Sequence, residues 1–231
     1  MSEPVSYESD GAVASITIDD GKVNAFSIPL LRELHGAFDR AEAEQAVVRL
    51  SGREGCFSAG FDLEVIAAGG RDVRELLTLG ATLAERILGF PRPVVVGCTG
   101  HALPAGAFLL LAADCRIGAD GPFRIGLNEV RIGLTVPWFA IEVARQRLHP
   151  AYFDRSVVSG TLYAPHEAAT AGFLDRVVPA AELAAASMDA ACDLAGVDGA
   201  SHAASKQRAR AGALQALRVA IESELSQADA A

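Results

Sequence analysis

Two short segments carry the arrangement most able to do chemistry. In residues 56–63, CFSAGFDL, an apolar approach ends at Ser58-Ala59-Gly60, and Phe61 and Asp62 then open a helix. Leading into residues 97–137, an apolar strand, Val94 to Cys98, runs into a tight turn from Gly100 to Ala105. A strongly apolar segment from Gly106 to Ala113, bounded by Asp114, reads as a buried helix. Each strand–turn–helix junction leaves a backbone N–H at a positive helix end. Two such donors suit one task, holding an oxygen on which negative charge develops. Downstream, Glu129 stands among Leu127, Val130, Ile132 and Leu134. A carboxylate in apolar surroundings has a raised pKa and is suited to proton transfer near neutrality.

At these residues the chain resembles the crotonase, or enoyl-CoA hydratase/isomerase, superfamily. The likeness is carried by Phe57-Ser58-Ala59-Gly60-Phe61-Asp62-Leu63, by Gly100-His101-Ala102-Leu103-Pro104-Ala105-Gly106, by Asp114-Cys115-Arg116-Ile117-Gly118, and by Asn128-Glu129 with Gly133. It runs from about Val5 to the C-terminal helix. The resemblance implies an α/β chain with a β-β-α spiral core over 1–179 and a C-terminal helical trimerisation region over 180–231. It assigns the oxyanion donors to the N–H groups of Phe61 and Ala105, and the base to Glu129. Along the acyl-CoA thioester it places Lys22, Val23, Ala25, Ala59, Gly60, Asp62 and Leu63, with Pro104, Gly106, Phe108 and Leu134. Two departures matter. The usual three glycines are Pro104-Ala105-Gly106; proline lacks an N–H, but the donor falls on the next residue. Where hydratases carry a second catalytic glutamate the chain has Phe108, and Asp114 is six residues further along, nearly two helical turns. One base with an oxyanion hole is the arrangement of the family's Δ3,Δ2-enoyl-CoA isomerases. CoA belongs to the substrate, so no separate cofactor is implied.

The elements that must position these groups are legible in outline. Residues 5–9 and 12–18 alternate around Asp10-Gly11 and predict a hairpin. Ser27 and Pro29 predict the start of a helix to about Glu42, with Leu30, Leu31, Leu34, Ala37, Phe38 and Ala41 inward. A strand over 46–50 follows. Then come a short helix from Asp62 to Ala68 broken at Gly69-Gly70, and a longer one over 72–88. Further on, the pattern predicts strands over 94–98 and 116–119 and an extended run over 123–127. Helices are predicted from Pro137 and Pro150, a capped short one over 163–172, and two final ones over 180–195 and 200–226.

The rest of the sequence mostly excludes. A net charge of −9 speaks against nucleic acid or an anionic membrane as a general partner. No apolar run reaches the ~18 residues needed to span a bilayer, and the acidic N-terminus is no secretory signal. A cytoplasmic location is expected. The four cysteines form no C-x-x-C pair and the five histidines show no metal-ligand spacing, so no metal is expected. There is no G-x-S-x-G elbow and no dinucleotide or phosphate-loop motif. Ser58 with His101 would be the pair to test for a serine peptidase on the related Clp-type fold. Only two lysines are present, Lys22 and Lys206. Lys206, Arg208, Arg210 and Arg218 on the last helix read either as a solvated basic face or as contacts to a neighbouring subunit's CoA phosphate. A homotrimer or homohexamer follows from the resemblance. Two readings stay open beside the isomerase: hydration of a 2-enoyl-CoA with a replaced second acid, and an acyl-CoA-binding protein without turnover.

Overall fold

The computed structural model describes residues 4–228 of the 231-residue chain. β1 (Val5–Ser9) and β2 (Val13–Ile18) form the expected antiparallel hairpin. Asp10 closes its turn by accepting from the N–H groups of Ala12 and Val13, each at 2.9 Å. β3 (Ala25–Phe26) leads into α1 (Ile28–Ala43), whose first turn Ser27 caps by accepting from Leu30 N. All six apolar residues expected to face inward on α1 are buried. The chain then makes β4 (Val47–Gly52), β5 (Gly55–Ser58), β6 (Gly60–Phe61), α2 (Leu63–Ala68) and α3 (Gly70–Gly89). Gly69, at φ +70°, separates the last two.

The next turn of chain repeats the plan with β7 (Val94–Cys98), β8 (Gly100–Ala102) and α4 (Pro104–Ala112), followed by β9 (Cys115–Ala119). β2, β4, β7 and β9 lie side by side in a six-stranded sheet of order β1-β2-β4-β7-β9-β10, parallel except for β1. The short strands turn aside into two parallel pairs, β3 with β6 and β5 with β8. This is a β-β-α spiral. Strands covered on both faces read as unbroken apolar runs, and β7 is buried at every position. α4 is buried on every side from Ala105 to Ala112, as an all-apolar helix must be.

After β9 come α5 (Trp138–Arg147), α6 (Pro150–Val157), α7 (Pro165–Ala171), β10 (Arg176–Val178), α8 (Leu183–Ala195) and α9 (Gly199–Ala228). The expected extended run over 123–127 is not a strand. It makes single bridges from Ile125 to Ala102 and Tyr163, because Gly121 at φ +154° and Gly126 at φ +151° bend the chain on either side. β10, three residues beside β9, is too short to leave a periodic signal. α8 lies on the outer sheet face, where Ala191 meets Val13, Val47 and Val95. α9 returns along α3 and α5 and adds Leu214, Leu217 and Ile221 to the main core. Residues 1–3 and 229–231 of the expected core and C-terminal regions lie outside the described residues.

The basic face expected on α9 is corrected at Lys206. Its side chain is buried, and Nζ meets Asp114 Oδ2 at 2.7 Å, while Arg210 meets Asp114 Oδ1 at 2.8 Å. Asp114 Oδ2 also accepts from Val94 N at 2.7 Å. Arg218 pairs with Glu85 at 2.6 Å. Lys206 and Arg210 therefore fasten α9 to the start of β7 and the end of α4. Among the described residues no helix is long and apolar enough to cross a membrane.

Candidate active site

The two junctions meet where β6 and β8 feed α2 and α4. Asp62 N donates to Phe26 O at 3.1 Å. Successive strand amides point to opposite sides, so Phe61 N–H is directed away from β3. Ala105 is the second residue of α4, and its N–H is among those with no acceptor inside the helix. The junctions are adjacent: a Cβ placed on Gly60, which sits at φ +98°, would lie 3.6 Å from Ala105 N. They are also tied together, since Leu103 N donates to Ser58 O at 2.9 Å and Gly55 N to Thr99 O at 3.1 Å. Beneath them, buried Asn24 at φ +53° donates from Nδ2 to Ile18 O at 2.9 Å and Phe57 O at 3.2 Å. Ser58 Oγ donates to Asn24 O at 2.7 Å and accepts from Gly60 N at 3.1 Å. Asn24 is a supporting residue that the sequence reading missed. Its only sequence signal is the Asp20–Asn24 turn.

These bonds dispose of the serine-peptidase pair. Ser58 Oγ is buried and committed to backbone, while His101 Nδ1 accepts from Arg124 N at 3.1 Å.

Glu129 opens a 3₁₀ turn, Glu129–Ile132, closed by Gly133 in the left-handed region at φ +80°. Leu134 N donates to Glu129 O at 2.9 Å, which folds the segment back over the carboxylate. The residue is 5% exposed, and Oε2 has no hydrogen-bond partner among the described residues. Burial pushes its pKa up to about 7, opposed weakly by its own backbone N–H. An unfolded carboxylate ionises near 4.5. Between the two values the folded state holds the extra proton, so stability falls as pH rises through that window and is lowest above it. The penalty above pH 7 is about 3 kcal/mol. Glu129→Gln is expected to gain most of this relative to wild type at pH 8 and little at pH 5, read from urea midpoints. A difference that stays flat across that range would contradict a buried, neutral carboxyl.

Glu129 shares a mostly apolar cavity of about 480 Å³ with Gly60, Phe61, Pro104 and Leu134. Ala59 and Leu63 also border it. Lys22, Val23, Ala25, Asp62 and Leu63 border a neighbouring cavity of about 420 Å³, so Leu63 faces both. That second cavity holds three carboxylates, Asp20, Asp62 and Glu64, beside exposed Lys22. Two of them have local duties. Asp20 Oδ1 accepts from Lys22 N and Asn24 N, and Asp62 caps α2 by accepting from Glu64 N at 2.9 Å.

Phe108 and Gly106 do not reach the cavity wall. Phe108 is 1% exposed, with ring centroids 5.7 Å from Phe61 and 5.4 Å from Phe139. It stands behind Phe61 and is not among the residues that border the Glu129 cavity. The Phe61 ring is wedged on its other side against α3, where a Cβ on Gly80 would come within 2.4 Å of it. A Cβ on Gly106 would sit 2.9 Å from Ser58 Cβ, so glycine there permits close packing of α4 on β5. The structure adds Glu224, from α9, to the cavity of Glu129. Its Oε2 accepts from Trp138 N at 2.8 Å, at the first turn of α5. Nothing local in the sequence marks this residue, because its place depends on how a long helix folds back. Among the described residues no cluster of three or more His, Cys, Asp or Glu could hold a metal.

Comparison with known proteins identifies the family. Residues 8–229 match the enoyl-CoA hydratase/isomerase family profile. A crystal structure of an enoyl-CoA hydratase/isomerase family protein from Pseudomonas syringae superposes with a TM-score of 0.94 at 43% identity, covering 96% of this chain and 97% of that one. Human mitochondrial enoyl-CoA delta isomerase 1 is 30% identical over 80% of this chain and 63% of its own length. A probable enoyl-CoA hydratase of Bacillus subtilis is 34% identical over 59% of this chain and 54% of its own. The chain thus aligns with less than two thirds of either curated relative. Its spiral core, its paired junctions and the span of the match give one result: the chain belongs to the enoyl-CoA hydratase/isomerase family, with the crotonase fold.

Proposed function

We propose that the protein isomerises a 3-enoyl-CoA to the 2-enoyl-CoA with Glu129 as the single base. The thioester oxygen lies between the N–H groups of Phe61 and Ala105. Glu129 takes a proton from C2, and the electron pair spreads over the oxygen, C2 and C4. The same carboxyl returns the proton at C4, leaving the double bond between C2 and C3. No water enters and the atoms balance. Each donor contributes on the order of 3 kcal/mol to stabilising the dienolate. The observation that carries the reading is the buried, unpartnered Oε2 of Glu129 in the cavity beside both junctions. Its pKa of about 7 lets one carboxyl both take and return a proton. Phe108, packed between Phe61 and Phe139, puts no second acid and no water site at that position.

A second reading is favoured by Glu224. A carboxylate in the same cavity is a candidate for the missing second acid of a hydratase, which would activate the water added at C3. The two readings part in one assay, with 3-enoyl-CoA and 2-enoyl-CoA turned over side by side by wild type and Glu224→Gln. Glutamine keeps an oxygen to accept from Trp138 N. The isomerase reading expects turnover of the 3-enoyl ester in both proteins and negligible hydration. Hydration of the 2-enoyl ester that falls ~10²-fold or more in Glu224→Gln would replace it with the two-acid mechanism. Tight thioester binding with no turnover of either ester would leave the acyl-CoA-binding protein.

A further inference from the structure

A cavity larger than the one that holds Glu129 lies elsewhere in the fold. It encloses about 910 Å³ on the outer face of the main sheet, under α8, and shares no lining residue with the Glu129 cavity. Along β4 the side chains alternate. Val48 and Leu50 enter the main core, while Val47, Arg49 and Ser51 face α8. Arg49 is thus a cation planted in an inner strand, where an apolar residue would be the ordinary choice. Its Nε donates to Ser187 Oγ at 2.9 Å, and Ser187 passes a hydrogen bond on to Ala184 O at 3.1 Å. No described carboxylate pairs with it. Arg116 and Arg210, by contrast, are paired with Asp175 and Asp114. Glu54 stands exposed on the rim of the same cavity and forms no ion pair with Arg49.

Two hydroxyl residues stand beside it. Ser51 lines the cavity, its hydroxyl 3.3 Å from that of Thr17, and Thr99 lines it too, with a buried Oγ1 that has no partner among the described residues. A guanidinium is charged at any working pH, and its planar fork matches a carboxylate or phosphate. Leaving it partly buried and unpaired is costly. Burial lowers its pKa from the ordinary arginine value, the mark of that cost. An oxyanion in the cavity would meet the N–H groups of Arg49 that the bond to Ser187 leaves free, on a wall that Ser51 also lines.

We infer that this cavity is a second ligand site, taking a small oxyanion, a phosphate or a carboxylate, on Arg49. The anion comes either from solution or from an acidic side chain of a second copy of this chain, and the chemistry of recognition is the same for both.

The test uses the full chain, with inorganic phosphate and acetate titrated against chloride at constant ionic strength. Calorimetric binding, melting temperature and sedimentation are read together. Wild type is expected to show saturable binding and a rise in melting temperature that chloride does not reproduce. Arg49→Met should lose about tenfold or more in affinity through the missing charge-assisted contacts. Ser187→Ala, which keeps the charge and removes only the hydroxyl that orients Arg49, should weaken binding severalfold and guards against a misfolded arginine variant. If phosphate binds without changing the assembly, the ligand is a free anion. If phosphate or Arg49→Met splits an assembly that wild type otherwise forms, the anion is a second copy's carboxylate. Identical melting in phosphate, acetate and chloride, with an assembly indifferent to Arg49→Met, would overturn the inference.

Discussion

Glu129→Gln is expected to lower turnover of a 3-enoyl-CoA by ~10²–10⁴-fold, the range attributable to a positioned general base. Binding of the thioester should persist, because the amide is isosteric and the donors proposed for the oxyanion are backbone groups, at Phe61 and Ala105. The loss should therefore fall on kcat with KM little changed, as for an interaction that acts in the transition state. Wild-type activity should also climb with pH through about 7, where Glu129 loses its proton, since only the carboxylate can take one from C2. Residual activity in the variant should lack that limb. A variant that retains full turnover, or keeps the same pH limb, would remove Glu129 from the chemistry.

The largest loss of stability is expected from Asp114→Ala. Asp114 gathers Lys206, Arg210 and the N–H of Val94. Burial lowers the Lys206 pKa to about 8, so desolvation outweighs the attraction of its partner. A pair of this kind adds little net stability while intact, but removing one member strands the other charge and costs about 3–5 kcal/mol. Chemical denaturation should show that loss. Adding Lys206→Met to Asp114→Ala should restore part of it, by removing one stranded cation. If the double variant is weaker than Asp114→Ala by the full cost of an independent change, Lys206 is not held by Asp114.

What could be read from the sequence followed from local periodicity and compact motifs. The inward face of α1 has a period of 3.6, which is why its six core residues were legible one by one. The junctions around Phe61 and Ala105 were legible because turn, donor and helix start are consecutive in the chain. The rest depends on contacts that local pattern does not encode. Lys206 looks solvent-facing until Asp114, 92 residues away, is brought beneath it. Glu224 enters the cavity only because α9 folds back onto α5. Phe108 was legible as a missing acid, but its place behind Phe61 required the packing of α3, α4 and α5 around one ring. Glu129 lay between these cases: its apolar neighbours announced a raised pKa, while its unpartnered oxygen could be seen only in the fold.

The tie between the two junctions has a consequence for how the site comes into being. Phe61 and Ala105 stand far apart along the chain, and they are neighbours only because β5 pairs with β8 and Leu103 N reaches Ser58 O. Bringing them together closes a long loop, which a folding chain does late and at an entropic cost. A partly folded form could keep α1 and the β1–β2 hairpin, both local structures, and still lack the pairing that sets Phe61 beside Ala105. The site is therefore all-or-none in folding terms. A chain in which that short, non-local ladder has not formed carries Glu129 without the paired junctions beside it.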